Sequence, residues 1–219
     1  MRVRRVLVTA FGVFAVLAAA FAQQAGTEIG WYNGEWQSGS PGSGNWYVAE
    51  DKFVRVYDQF QVPARGWMVA AVFSDNALYD SPPVITEASW EIRRGMAPGG
   101  GGEVVAAEIS PAAQLPDPFV TAVRYPASEV GKHFRIQVNN LHVQLPAGHY
   151  WISVTPVGQG QIIAHATLGR SAVGIDETGL GMTLIDRPDG PRFAIAEAVG
   201  RPGQMGIAKH FAQGVIVAK

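Results

Sequence analysis

The sequence predicts an all-β fold: an antiparallel two-sheet β-sandwich with jelly-roll or Greek-key connections. Three observations carry this. Apolar residues recur with period two, and 26 glycines and 14 prolines supply turns between the runs. Beyond residue 22 no segment sustains the i, i+3, i+4 spacing of an amphipathic helix. Strands that follow one another through turns, instead of alternating with helices, argue against βαβ units.

The chain opens with Arg2, Arg4 and Arg5, then an uncharged apolar run from Val6 to Ala19, then Ala20-Phe21-Ala22. A positive start, a short apolar stretch and an A-x-A site together read as a signal peptide over residues 1–22, cleaved before Gln23. The run is shorter than the roughly 20 residues that span a bilayer. Residues 23–219 then read as a single β-sandwich domain, exported to the periplasm or the exterior, with no integral membrane segment once the leader is gone.

Cleavage removes three of the 17 Lys+Arg and none of the 18 Asp+Glu, leaving 14 against 18, or −4. That balance supplies no electrostatic footprint for nucleic acid and no polybasic patch for anionic lipid, so neither partner is expected. Cysteine is absent. The chain therefore has no disulfide framework, thiolate metal site or cysteine nucleophile, and its stability rests on core burial, which 47% hydrophobic residues make feasible.

Along the chain, Val54, Val56, Phe60 and Val62 share one face of a strand, and an apolar run from Trp67 to Ser74 follows the turn Pro63-Ala64-Arg65-Gly66. Asp75-Asn76 and Asp80 read as turn residues. Ala88, Trp90 and Ile92 alternate with Ser89, Glu91 and Arg93, and a glycine-rich loop returns the chain to Val105, Ala107 and Ile109. Phe134, Ile136 and Val138 alternate with Arg135, Gln137 and Asn139, and Leu141, Val143 and Leu145 resume the pattern. A bend or bulge near Asn139-Asn140 is expected between the two halves. After Pro146-Ala147-Gly148, the run from His149 to Val154 is expected to pair antiparallel with its predecessor as a hairpin. Shorter strands are expected near Phe119 to Tyr125, Gln161 to Thr167, Met182 to Ile185, Phe193 to Ala196 and Val215 to Ala218.

Two of these stretches have a wider likeness. Val56-Tyr57-Asp58-Gln59-Phe60-Gln61-Val62-Pro63 with Gly66-Trp67, and Leu145-Pro146-Ala147-Gly148-His149-Tyr150-Trp151, resemble motifs of secreted bacterial β-sandwich proteins that often carry a PEP-CTERM sorting tail. Trp90-Glu91-Ile92-Arg93 before its glycine-rich loop is similar to their central hairpin. The likeness covers roughly residues 50–155 and consists of turn and core residues, so it implies a fold and a compartment and no catalytic role. The chain ends in Gly214-Val215-Ile216-Val217-Ala218-Lys219 in place of such a tail.

The residues most suggestive of binding are Trp31, Tyr32, Trp36, Trp46 and Tyr47, which flank the Gly/Ser-rich stretch from Gln37 to Gly44. Exposed rings stack on sugars, with Asn33, Glu35 and Asn45 as hydrogen-bonding neighbours. The competing reading, that these aromatics cap the open end of the sandwich or pack an N-terminal strand, leads. Asp186, Asp189 and Gly190, with Asp176-Glu177 upstream, offer oxygens for Ca²⁺, but the spacing matches no EF-hand, Arg187 offsets the charge, and turn chemistry leads. His142 and His149 alone make an incomplete zinc site. Neither G-x-S-x-G nor H-E-x-x-H occurs. No catalytic residue, metal or cofactor is assigned. The expected function is a non-enzymatic structural or adhesive role at the envelope or outside the cell, with an extracellular glycan or envelope component as partner. A carbohydrate-binding module using the aromatic cluster, and an extracellular polysaccharide hydrolase, are the alternatives.

Overall fold

A computed structural model describes residues 26–34, 43–50, 52–78, 85–116, 133–158, 162–164, 166–167, 173–174, 182–185, 192–195 and 210–219. The expected leader, Trp36, Asp80, the strand near Phe119 to Tyr125 and the carboxylates from Asp176 to Asp189 lie outside them. The described residues form strands and no helix: β1 (Thr27–Tyr32), β2 (Ser43–Gly44), β3 (Trp46–Ala49), β4 (Lys52–Val62), β5 (Trp67–Leu78), β6 (Glu87–Arg94), β7 (Glu103–Pro111) and β8 (Ala113–Pro116). There follow β9 (His133–Val138), β10 (Val143–Leu145), β11 (Gly148–Pro156), β12 (Ile162–Ala164), β13 (Ala166–Thr167), β14 (Met182–Ile185), β15 (Arg192–Ile195), β16 (His210–Phe211) and β17 (Gln213–Ala218).

They make two antiparallel sheets, the sandwich that the alternation predicts. In the first, β5 is central, flanked by β17 and β1 on one side and by β9 and β8 on the other, with β10, β12 and β2 completing it. The second runs β15-β14-β4-β11-β6-β7, with β3 also on β4. β13 and β16 form a separate pair. The core lies between the sheets. Phe60, Val62, Trp90, Ile92, Tyr150, Ile152 and Val154 from one meet Trp31, Val69, Val72, Phe134, Ile136 and Val215 from the other. Burying such side chains contributes about 1.5–3 kcal/mol each, which is what the absent disulfides leave to packing.

The expected bend is present. Asn140 adopts φ 60°, and β9 and β10 lie end to end along β5, joined where Leu141 N–H donates to Ala70 C=O at 2.9 Å. Asparagine tolerates this left-handed conformation because its short polar side chain bonds locally. The β6–β7 hairpin also forms as expected, with a bulge that sets Val104 and Val105 against Arg93.

Two expectations are corrected. The run from His149 to Val154 does not pair with its predecessor. β10 pairs with β5 in the first sheet, while β11 pairs with β4 and β6 in the second, so Pro146-Ala147-Gly148 is a corner between sheets. Alternation shows which residues face the core; it does not say which sheet a strand joins. Asp75 and Asn76 are not turn residues either. They sit inside β5 at 1% and 0% exposure, because buried partners satisfy both side chains.

Pro63-Ala64-Arg65-Gly66 is a second corner, taking the chain from β4 to β5, and it packs against the first. Gly66 has φ 72°, and a Cβ there would lie 3.0 Å from the Leu145 carbonyl oxygen. Gly66→Ala is therefore expected to cost about 1–2 kcal/mol from the left-handed backbone alone, read as a lower urea midpoint with an unchanged slope.

Candidate functional site

Trp31 and Tyr32 occupy successive positions of β1, so their rings point to opposite faces of the first sheet. Trp31 enters the core at 1% exposure, its ring 5.6 Å from Phe60. Tyr32, also 1% exposed, lies on the outer face with its ring 5.3 Å from Phe73, and its hydroxyl donates to Asp75 at 2.9 Å. Trp46 is half-buried against the core, while Tyr47 stacks on Phe53 at 6.0 Å on the outer face of the second sheet. The four rings are thus dispersed over three environments. Trp31 and Tyr32 present no open face to a sugar.

Among the described residues, three clusters of buried titratable groups form that alternation alone does not reveal. On the outer face of the second sheet, Glu91 accepts from Tyr57 Oη at 2.5 Å and from Arg93 Nε at 2.6 Å, with Arg55 Nη1 at 3.1 Å. Burial, followed by the Glu91 carboxylate, pushes the Tyr57 hydroxyl well above its usual pKa. Aromatic rings cover the two guanidiniums: Arg55 lies over Tyr47 and Phe53, Arg93 over Phe193.

On the outer face of the first sheet, Asp75 accepts from Arg135 Nε and Nη2 at 2.6 and 2.8 Å. The Arg135 guanidinium lies 3.8 Å from the Phe73 ring centre.

The third group crosses the interior. Asp58 is fully buried, and its carboxylate accepts from Phe211 N–H at 2.9 Å and from Gln213 Nε2 at 3.2 Å, with His210 Nδ1 at 3.8 Å. Gln213 Oε1 accepts from Val154 N–H, so one side chain of β17 bonds both β4 and β11 of the opposite sheet. Asn45 Nδ2 reaches Asn76 Oδ1 at 2.9 Å and the Val154 carbonyl at 3.0 Å. Burial raises the Asp58 carboxyl to about 8, against the lowering effect of its hydrogen bonds from Gln213 and Phe211. A perturbed carboxyl often marks a reacting group. Asp58 has no surface through which a substrate reaches it, and its geometry is that of a stitch between sheets.

Two features face solvent. At the corner end, an open groove of about 420 Å³ lies between the two turns, with Trp67 and Leu145 at its floor and Arg65 and Met68 on its rim. Phe60 stacks beneath Trp67 at 6.0 Å and 7°. The two turns, about eighty residues apart in sequence, meet here. His149 stands near this end with its Nδ1 3.3 Å from Gln59 Nε2, and His142 lies between β9 and β10.

The second feature is β7. Among the described residues it pairs with β6 alone. Of the five exposed large hydrophobics among the described residues, Val104, Val105 and Ile109 belong to this strand, at 48%, 36% and 45%. Neither the strand's edge position nor this concentration is legible from alternation, because a period of two is the same in an edge strand and a central one.

Among the described residues no helix is long and apolar enough to cross a membrane, and no three His, Asp or Glu side chains gather as a metal site. No protein-family model, curated protein or solved structure matches this chain.

Proposed function

We propose that this is an exported, non-enzymatic β-sandwich with a structural or adhesive role at the cell envelope or outside the cell, and that the open edge of β7 is its interaction element. The observation that carries the reading is a nine-residue strand that, among the described residues, lies at a sheet edge and carries most of the exposed large hydrophobics. An unpaired edge offers a row of backbone donors and acceptors, and side chains beside it add selectivity. The leader pattern and the likeness to secreted β-sandwich proteins support the compartment.

The test compares cells exporting the chain with cells exporting a Val105→Lys/Ile109→Lys variant, whose folding is checked by circular dichroism. The expected result is severalfold less envelope-retained protein for the folded variant, with the difference recovered in the medium. Equal retention would remove β7 from the role.

A further inference from the structure

The pattern of β7 is symmetric about one residue. Ala112 N–H donates to Thr86 C=O, so the backbone of residues 110, 108 and 106 also turns toward β6, and that of 109 and 107 turns to the open edge. Pro111 shares the open side, where its missing N–H removes no bond to β6. Ile109 and Ala107 lie opposite Ser89 and Glu91, and the bulge brings Val104 and Val105 opposite Arg93, on the same outer face. Reading outward from Ala107, a large apolar residue stands two places away in each direction, Val105 on one side and Ile109 on the other.

We propose that the partner of this edge is a second copy of the same chain, β7 against β7, antiparallel about a two-fold axis at Ala107. The inference rests on the adhesive reading above and names its partner. In this register Val105 of each copy meets Ile109 of the other, and Glu108 meets Ala106, so no two carboxylates are opposed. Centring on Glu108 would set two carboxylates face to face, which destabilises a strand pair. Centring on Ala106 would set Val104 against Glu108 and Ile109 against Glu103. Of these three registers, the one centred on Ala107 matches Val105 with Ile109 twice over and opposes no carboxylates, with Val104 falling opposite Ser110; that self-complementarity is one an unrelated partner does not require. The interface is isologous and closes at two copies. It is small for a stable interface, so association depends on concentration.

The chain contains no cysteine, so Ala107→Cys introduces a single thiol. On the axis the two Cα atoms would stand about 5.5 Å apart, within the span of a disulfide. The experiment follows disulfide-linked dimer in air-oxidised Ala107→Cys beside Ala97→Cys, an exposed position in the β6–β7 loop, and runs sedimentation equilibrium on the unmodified chain and on Ile109→Lys.

The expected result is dimer formation by Ala107→Cys at least about ten-fold faster than by Ala97→Cys, with a concentration-dependent dimer that Ile109→Lys abolishes. Equal cross-linking rates and a monomer at every concentration would overturn self-pairing. If envelope retention is still lost in Val105→Lys/Ile109→Lys, β7 keeps its adhesive role with a different partner; if retention is also unchanged, self-pairing and the role of β7 both fall.

Discussion

Glu91→Ala is expected to destabilise the fold by about 3–5 kcal/mol, the cost typical of removing one partner from a buried ion pair. The carboxylate is shared by Arg55 and Arg93, whose side chains are 11% and 15% exposed, and it accepts the Tyr57 hydroxyl as well. Alanine leaves two guanidiniums confined beneath aromatic rings with little access to water. Ser89 Oγ, which accepts from Arg55 Nη2 at 2.8 Å, carries no charge to offset them. Urea unfolding measures the loss directly, and a fall in Tm of roughly 10 °C is expected beside it. Glu91→Gln keeps an acceptor and the side-chain volume, so it should lose less. Pairing Glu91→Ala with Arg55→Met should recover part of the loss, since one stranded charge is removed along with the carboxylate. If Glu91→Ala matches the wild type, the cluster is solvated and the ion pairs are of the weak surface kind.

Asp58→Asn is expected to stabilise the protein increasingly as pH rises. The carboxyl titrates near 8 in the folded chain and near 3.8 when solvated, so folding favours its protonated form. The stability it confers is complete below the unfolded value and is lost as pH climbs through the folded one. Relative to an asparagine that does not titrate, the wild type should therefore lose about 1.4 kcal/mol for each pH unit between roughly 4 and 8, and the difference should level off above that. By pH 7 the accumulated difference is roughly 4 kcal/mol. His210 is the titratable neighbour, 3.8 Å away, and is present in both proteins. Asparagine Oδ1 can still accept from Phe211 N–H and Gln213 Nε2. Denaturation of both proteins at several pH values decides the matter. Parallel curves would mean that Asp58 is ionised in the folded state.

Gln213 and Asp58 also illustrate how much of this molecule was hidden from a reading of its sequence. Val56, Phe60 and Val62 were identifiable as one face of a strand, and the structure buries all three. Asp58 lies on the same face and interrupts the apolar pattern; its partners are 153 and 155 residues away. Ser89, Glu91 and Arg93 alternate with core residues, yet Ser89 and Glu91 are buried on the outer face, where Arg55 bonds Ser89, and Tyr57 and Arg93 bond Glu91. The aromatic cluster around Trp31 and Trp46 was contiguous only in sequence. Successive residues of a strand face opposite ways, so Trp31 and Tyr32 could not share a surface once β1 formed.

The sequence by itself determined the fold class, the facing of most strands, the bend at Asn140 and the β6–β7 hairpin, because these follow from side-chain period, backbone sterics and short-range turns. The tertiary structure decided which sheet each strand joins, that β10 and β11 part at a corner, which carboxylates are buried and by what they are satisfied, and that β7 lies at an edge. Those outcomes depend on contacts between segments far apart in the chain, and the local pattern is the same whichever partner a strand acquires.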